Sequence, residues 1–122
     1  MKYLLIIAFI LFVSCSKKDD SKSIEFIVNS NGIINSIRFY SNEDKNYYYD
    51  TNPVFKVSNT DGVINYEYKG ILNASKGNLH FELFGGKDLT KASVKVENVI
   101  KETTMDKDLN PERPLIGMFV IL

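Results

Sequence analysis

The chain has 122 residues, with 15 lysine and arginine side chains against 15 aspartate and glutamate, one histidine, one cysteine and no tryptophan. Balanced charge gives nucleic acid or an anionic surface no electrostatic hold, and a lone cysteine excludes an intrachain disulfide. The length suits one domain rather than two, and the single histidine narrows the available chemistry.

The N-terminus has three parts: positive charge at Met1 and Lys2, an apolar run over residues 3–13, and the small Ser14 just before Cys15. That is the layout of a secretory signal, and the run is shorter than the roughly 20 apolar residues a membrane span needs. Phe12-Val13-Ser14-Cys15 resembles the lipobox of bacterial lipoproteins, with phenylalanine where leucine is usual. The resemblance implies diacylation of the Cys15 thiol, cleavage between Ser14 and Cys15, and acylation of the new amine. A thiolate is the strongest side-chain nucleophile near neutral pH, and several acyl chains anchor stably where one does not. Ser16 stands where aspartate marks inner-membrane retention. Lys17-Lys18-Asp19-Asp20 is similar to the lysine-plus-acidic signal that sends some lipoproteins to the outer face of the outer membrane.

The expected organisation is a signal peptide over 1–14, a lipidated cysteine with a charged tether over 15–22, and one domain over 23–122. Losing Lys2 leaves the mature chain one unit negative. Because lipid consumes Cys15, the folded part rests on burial alone, which is feasible at about 100 residues.

From Ser23 the pattern has period two. Ile24, Phe26 and Val28 alternate with Glu25, Ile27 and Asn29 as a half-buried strand. Asn31-Gly32 supplies positive-φ positions for a tight hairpin, which sets Phe26 opposite Ile37, Ile24 opposite Phe39 and Glu25 opposite Arg38. A second hairpin joins strands over 54–58 and 63–72 through the four-residue loop Asn59-Thr60-Asp61-Gly62. It pairs Ser58 with Val63, Val57 with Ile64 and Phe55 with Tyr66, with Pro53 at the strand's start. A third returns through Ala74-Ser75-Lys76-Gly77, Gly77 suiting a left-handed position. It pairs Asn73 with Asn78, Leu72 with Leu79 and Lys69 with Glu82, and sets the Phe81 ring over Gly70.

Val94, Val96, Asn98 and Ile100 alternate as a further strand, with a helix capped by Asp88 as the rival. Residues 105–114 read as a loop. Residues 115–122, apolar almost throughout, predict a strand buried on both sides or covered by that loop. Seven or eight short strands in an antiparallel, all-β, immunoglobulin-like sandwich are expected, with a small barrel as the alternative.

Three clusters are candidates for function. His80 and Glu82 share a strand face, beside Lys69 and Glu67 if the third hairpin holds. They suggest a general base with its orienting carboxylate, or equally a solvated outer stripe. Asp106-x-Asp108-x-Asn110-Pro111-Glu112 opens like a calcium loop, but Pro111 replaces the glycine and Gly117 the closing glutamate, so no metal is expected there. Tyr47-Tyr48-Tyr49, with Tyr40 across the intervening loop, is the candidate binding patch. Consecutive strand residues face opposite ways, so at least one ring should meet solvent, where tyrosine serves protein or glycan contacts.

Ile24-Glu25-Phe26-Ile27-Val28 and Ile37-Arg38-Phe39-Tyr40-Ser41-Asn42 look like the first hairpin of the MmpS-like transport accessory domain. Pro53-Val54-Phe55-Lys56-Val57 resembles its next strand. Gly77-Asn78-Leu79, then Leu83-Phe84-Gly85-Gly86-Lys87 and Ala92, is similar to its closing strand and turn. The likeness covers residues 24 to 94. The family's tryptophan after the proline is absent, and residues 105–122 have no counterpart. The resemblance implies a sandwich with a non-catalytic role beside an exporter. The expected protein is thus an outer-membrane lipoprotein at the cell surface, binding an envelope protein or glycan without a cofactor. An exporter accessory protein is the alternative and a hydrolytic enzyme a remote one.

Overall fold

The computed structural model describes residues 21–105 and 113–122. The signal, Cys15, most of the tether and the calcium-like segment 106–112 lie outside the described residues. The described chain is all β: β1 (Lys22–Ser30), β2 (Ile34–Tyr40), β3 (Asn46–Asp50), β4 (Lys56–Thr60), β5 (Val63–Ala74), β6 (Gly77–Gly85), β7 (Lys91–Val96), β8 (Val99–Thr104) and β9 (Leu115–Ile121). They form two packed antiparallel sheets, one ordered β4-β5-β1-β7-β8 and the other β3-β2-β6-β9. The fold is a β-sandwich and no barrel closes. In immunoglobulin lettering β1 to β6 follow strands B, C, C′, D, E and F, and β9 lies where G does. The place of strand A, beside β1, is filled by β7.

Alternation sets the two faces. Ile24, Phe26 and Val28 of β1, Ile37 and Phe39 of β2, Leu79, Phe81 and Leu83 of β6, and Leu115, Phe119 and Ile121 of β9 are all buried. Their rings interlock between the sheets, Phe26 lying 4.5 Å from Phe39 and Phe81 lying 6.2 Å from Phe39 and 5.8 Å from Phe119.

Two of the three expected hairpins are instead crossings between sheets. β1 pairs with β5, placing Ile24 beside Leu72, Glu25 beside Ile71 and Phe26 beside Gly70, and with β7, placing Phe26 beside Val96. Phe26 therefore meets the β2 stripe across the core, and Glu25 and Arg38 lie on opposite outer faces. Alternation with a short polar turn fits both a hairpin and an arch, since apolar faces meet in either. What decides is Asn31: its side chain accepts the Thr90 and Lys91 N–H groups at 3.1 and 3.0 Å and donates to Thr90 Oγ1 at 2.8 Å. Neither Asn31 nor Gly32 has positive φ. A Cβ on Gly32 would lie 2.5 Å from the Asp88 backbone, so this glycine serves a close approach of chains.

The β5–β6 connection also crosses, although Gly77 does adopt positive φ, +119°. Leu72 and Leu79 sit in different sheets, as do Lys69 and Glu82. Phe81 pairs with Phe39 and Gly117 and covers Gly117, while the ring over Gly70 is that of Phe26. The β4–β5 hairpin is real but two residues tighter than expected. Asp61 and Gly62 at φ +54° and +84° form the turn, so Thr60 pairs with Val63 and Val57 with Tyr66. Two positive-φ residues make the primed turn whose twist suits a hairpin, and a slip of two preserves every face.

Near Asn98 the expected single strand breaks into β7 and β8 around Glu97, at φ +55°. The outer face of β9 points away from the core of the two-layer sandwich, so its outward side chains, Ile116, Met118 and Val120, are exposed rather than buried on both sides.

Between β3 and β5 the sheets are pinned by hydroxyls. Tyr68 donates to Asp50 Oδ2 at 2.7 Å, and the Tyr48 hydroxyl donates to that of Tyr68. Burial first, then these partners, push the Tyr68 phenol well above its ordinary range. A raised phenol favours the protonated fold below pH 10. As pH climbs past the unfolded-state value of about 10, the unfolded chain loses its proton first and stability falls. Tyr68→Phe is expected to cost about 2 kcal/mol at neutral pH and to flatten that alkaline decline. Urea unfolding at neutral and alkaline pH measures both.

Candidate functional site

The outward face of the β3-β2-β6-β9 sheet brings together Tyr40, Tyr49, His80 and Glu82 of the polar residues singled out in the sequence. Alternation on β2 turns Arg38 and Tyr40 outward while Ile37 and Phe39 go to the core. On β6, His80 and Glu82 turn outward between Leu79, Phe81 and Leu83. Strand register then lays two rows across the sheet. One runs Tyr49, Arg38, Glu82, Ile116 and the other Tyr40, His80, Met118.

Arg38 is the hub. Its Nε donates to Asn46 Oδ1, its Nη2 bonds Asp44 through both the carboxylate and, at 3.3 Å, the backbone oxygen, and Nη1 lies 3.8 Å from Glu82. The guanidinium also sits 4.1 Å above the Tyr40 ring, an attraction between a cation and the ring's negative face. His80 also stacks on Tyr40, centroids 5.1 Å apart and planes 19° apart. The hydrogen bond to Asp44, partly offset by desolvation, holds Arg38 more firmly protonated than usual. Burial, followed by the Glu82 carboxylate, raises the Tyr40 phenol.

The loop from β2 to β3 supplies the remaining partners because it is folded tightly. Ser41 Oγ accepts the N–H groups of Glu43 and Lys45, both at 3.2 Å, and Asp44 takes φ +64°. Asn42 Oδ1 accepts from Asn78 Nδ2 at 3.3 Å and faces His80 Nε2 at 2.6 Å. An acceptor there makes Nε2 the protonated nitrogen.

The tyrosine patch divides. Pairing of β3 with β2 shifts between Phe39 and Tyr40, and this bulge lets Tyr47 and Tyr48 both pack against the core. Tyr48 reaches Phe26 edge-on at 5.0 Å. Tyr49 alone is well exposed, at 57%, and Tyr40 joins it on the outer face, half-buried in the stack. Strict alternation has no room for a bulge, which sets two neighbours on one side. The expected neighbours of His80 change as well. Lys69 and Glu67 form their own 3.8 Å pair on the other sheet, and Tyr40 and Asn42 stand beside His80 instead. Sequence reading missed Arg38, Asn42, Asp44 and Asn46. The available signal was the spacing of Arg38 and Tyr40, two apart on one strand.

Chemically this is a stacked, charge-compensated surface, open to solvent and flanked by exposed Ile116, Met118 and Phe84. Arginine, tyrosine and methionine are the residues enriched where proteins meet partners. Compared with known proteins, the chain matches no family model, no curated protein and no solved structure.

Proposed function

We propose that this protein is a lipid-anchored lipoprotein of the outer membrane whose β-sandwich acts by contact, holding an envelope protein or glycan against the outer face of its four-stranded sheet. The single observation that carries the contact reading is the Arg38-centred stack with Tyr40, His80 and Glu82. Its side chains are already fixed by hydrogen bonds, so little ordering remains to oppose binding. The lipobox at Phe12-Val13-Ser14-Cys15 supports the anchor, and Ser16 with the charged segment after it supports export to the cell surface.

Two measurements test the halves separately. Labelled palmitate is expected on the wild-type chain and absent from Cys15→Ser, which should fold yet leave the membrane fraction. Persistent membrane attachment of Cys15→Ser would overturn the anchor. A photo-crosslinking amino acid at Tyr49 in intact cells should give one discrete adduct, weakened by Arg38→Met, while the same probe at Ile71 on the opposite sheet gives none. Equal labelling at both positions would remove the contact face. An exporter subunit in the Tyr49 adduct would specify the partner that the MmpS-like resemblance implies.

A further inference from the structure

The start of β1, the β2–β3 loop, the β5–β6 turn, the β7–β8 turn and the end of β9 meet at one end of the sandwich, Asn42 of that loop accepting from Asn78 at 3.3 Å. Lys22 pairs with Ala74, Gly77 pairs with Ile121, and Lys22 Nζ lies 3.3 Å from Glu97 Oε1. Residues 15–21 therefore enter the fold at this end, and fully extended they span at most roughly 25 Å. Beside that entry a cleft of about 360 Å³ opens between the β7–β8 turn and the last residues of β9, with Glu97 on its lining. Its rim holds Val99, Met118, Val120 and Leu122, exposed by 51, 42, 61 and 90%.

Single exposed apolar side chains are ordinary, but four around one cleft make a patch that calls for a partner. The free edge of β9 adds to it. Leu-Ile-Gly-Met-Phe-Val-Ile contains no charge or proline, and its pairing with β6 runs without a bulge. The strand itself thus carries none of the charges, prolines or bulges that blunt an edge. Lys101 lines the cleft too, and a lysine can lay its stem along apolar surface while its ammonium stays in water.

We propose that this cleft and its rim are seated in the bilayer that holds the Cys15 lipid, with the cleft taking an acyl chain of a membrane lipid. The proposal rests on the lipoprotein reading above, because the anchor delivers this end to the membrane. The tether is too short to carry the domain far from the headgroups. The strands then stand upright on the membrane with the β2–β3 loop near the headgroups, and the row through Tyr49, Arg38 and Glu82 looks sideways above it.

The chain has no tryptophan, so Leu122→Trp reports only its own surroundings. Lipidated Leu122→Trp and, at the far end of β5, lipidated Val63→Trp are reconstituted into phosphatidylethanolamine–phosphatidylglycerol vesicles with brominated acyl chains. Mass measurement and flotation read the lipid on Cys15. Tryptophan at 122 should be quenched several-fold and tryptophan at 63 left unquenched. Adding Val99→Asp and Val120→Asp to Leu122→Trp should abolish most quenching without changing flotation. Flotation without quenching at 122 overturns this proposal and leaves the anchor standing. Absence of both lipid and flotation overturns the anchor, and the proposal with it. If soluble Cys15→Ser instead dimerises through β9 in sedimentation while 122 stays unquenched in the lipidated chain, the rim belongs to a second copy and the proposal fails.

Discussion

Phe26→Ala is expected to lower the unfolding free energy by about 4 kcal/mol, the middle of the range for emptying a buried aromatic site. The ring is 1% exposed and lies 4.5 Å from Phe39, 5.0 Å from Tyr48 and 6.0 Å from Tyr68. It touches both sheets and roofs Gly70, which offers no side chain to fill the vacancy. Small domains are typically stable by about 5–15 kcal/mol, so the variant should be near its folding limit at physiological temperature. Urea unfolding of the soluble Cys15→Ser chain measures the loss. A value below about 2 kcal/mol would contradict the packing across the core. A partner substitution tests the register directly. Gly70→Ala alone places a Cβ 2.5 Å from the Phe26 ring and should destabilise. In the Phe26→Ala background it should be tolerated and partly restorative.

Gly117→Ala makes the opposite kind of error. A Cβ there would sit 2.3 Å from Cζ and 2.4 Å from Cε2 of Phe81. Phe81 is fully buried between Phe39 and Phe119 and has nowhere to retreat. Overpacking of this kind is expected to cost about 3 kcal/mol. Shortening the obstructing ring with Phe81→Leu should recover part of that loss, so the two changes together cost less than their sum. A strictly additive pair, measured by thermal or urea unfolding, would place Phe81 elsewhere than against β9.

The all-β sandwich was legible because alternation is a statement about faces, and faces survive changes of partner. Every residue of the Ile24, Phe26, Val28 stripe and of the Leu79, Phe81, Leu83 stripe is buried as the period predicts. Pairing was not legible. Residues 31–33 and 75–76 are as short as hairpin loops, yet each carries the chain from one sheet to the other, the first because Asn31 and Gly32 answer to Asp88, Thr90 and Lys91 far along the sequence. Where a turn is decided locally, as at Asp61-Gly62, the sequence identifies the hairpin and misses only its tightness. The site divides on the same line. Tyr40, Tyr49, His80 and Glu82 are set outward by their own strands. Tyr47 is turned inward by a bulge, and Arg38 becomes a hub only when β2 lands between β3 and β6.

The position of β1 has a consequence for how the protein is made. β1 lies between β5 and β7, so Phe26 waits for both Gly70 and Val96. Ile37 and Phe39 on β2 likewise wait for β6. Among the described strands only β2–β3, β4–β5 and β7–β8 can close as local hairpins, and a pair of strands alone is marginal in water. Loop closure must precede the contacts that reward it, which places such topologies among the slow folders, in milliseconds to seconds. The N-terminal segment thus stays without a stable partner until most of the chain has been synthesised. Under the lipoprotein reading proposed above, that delay would keep the chain open for export and acylation, and the late strands complete the core.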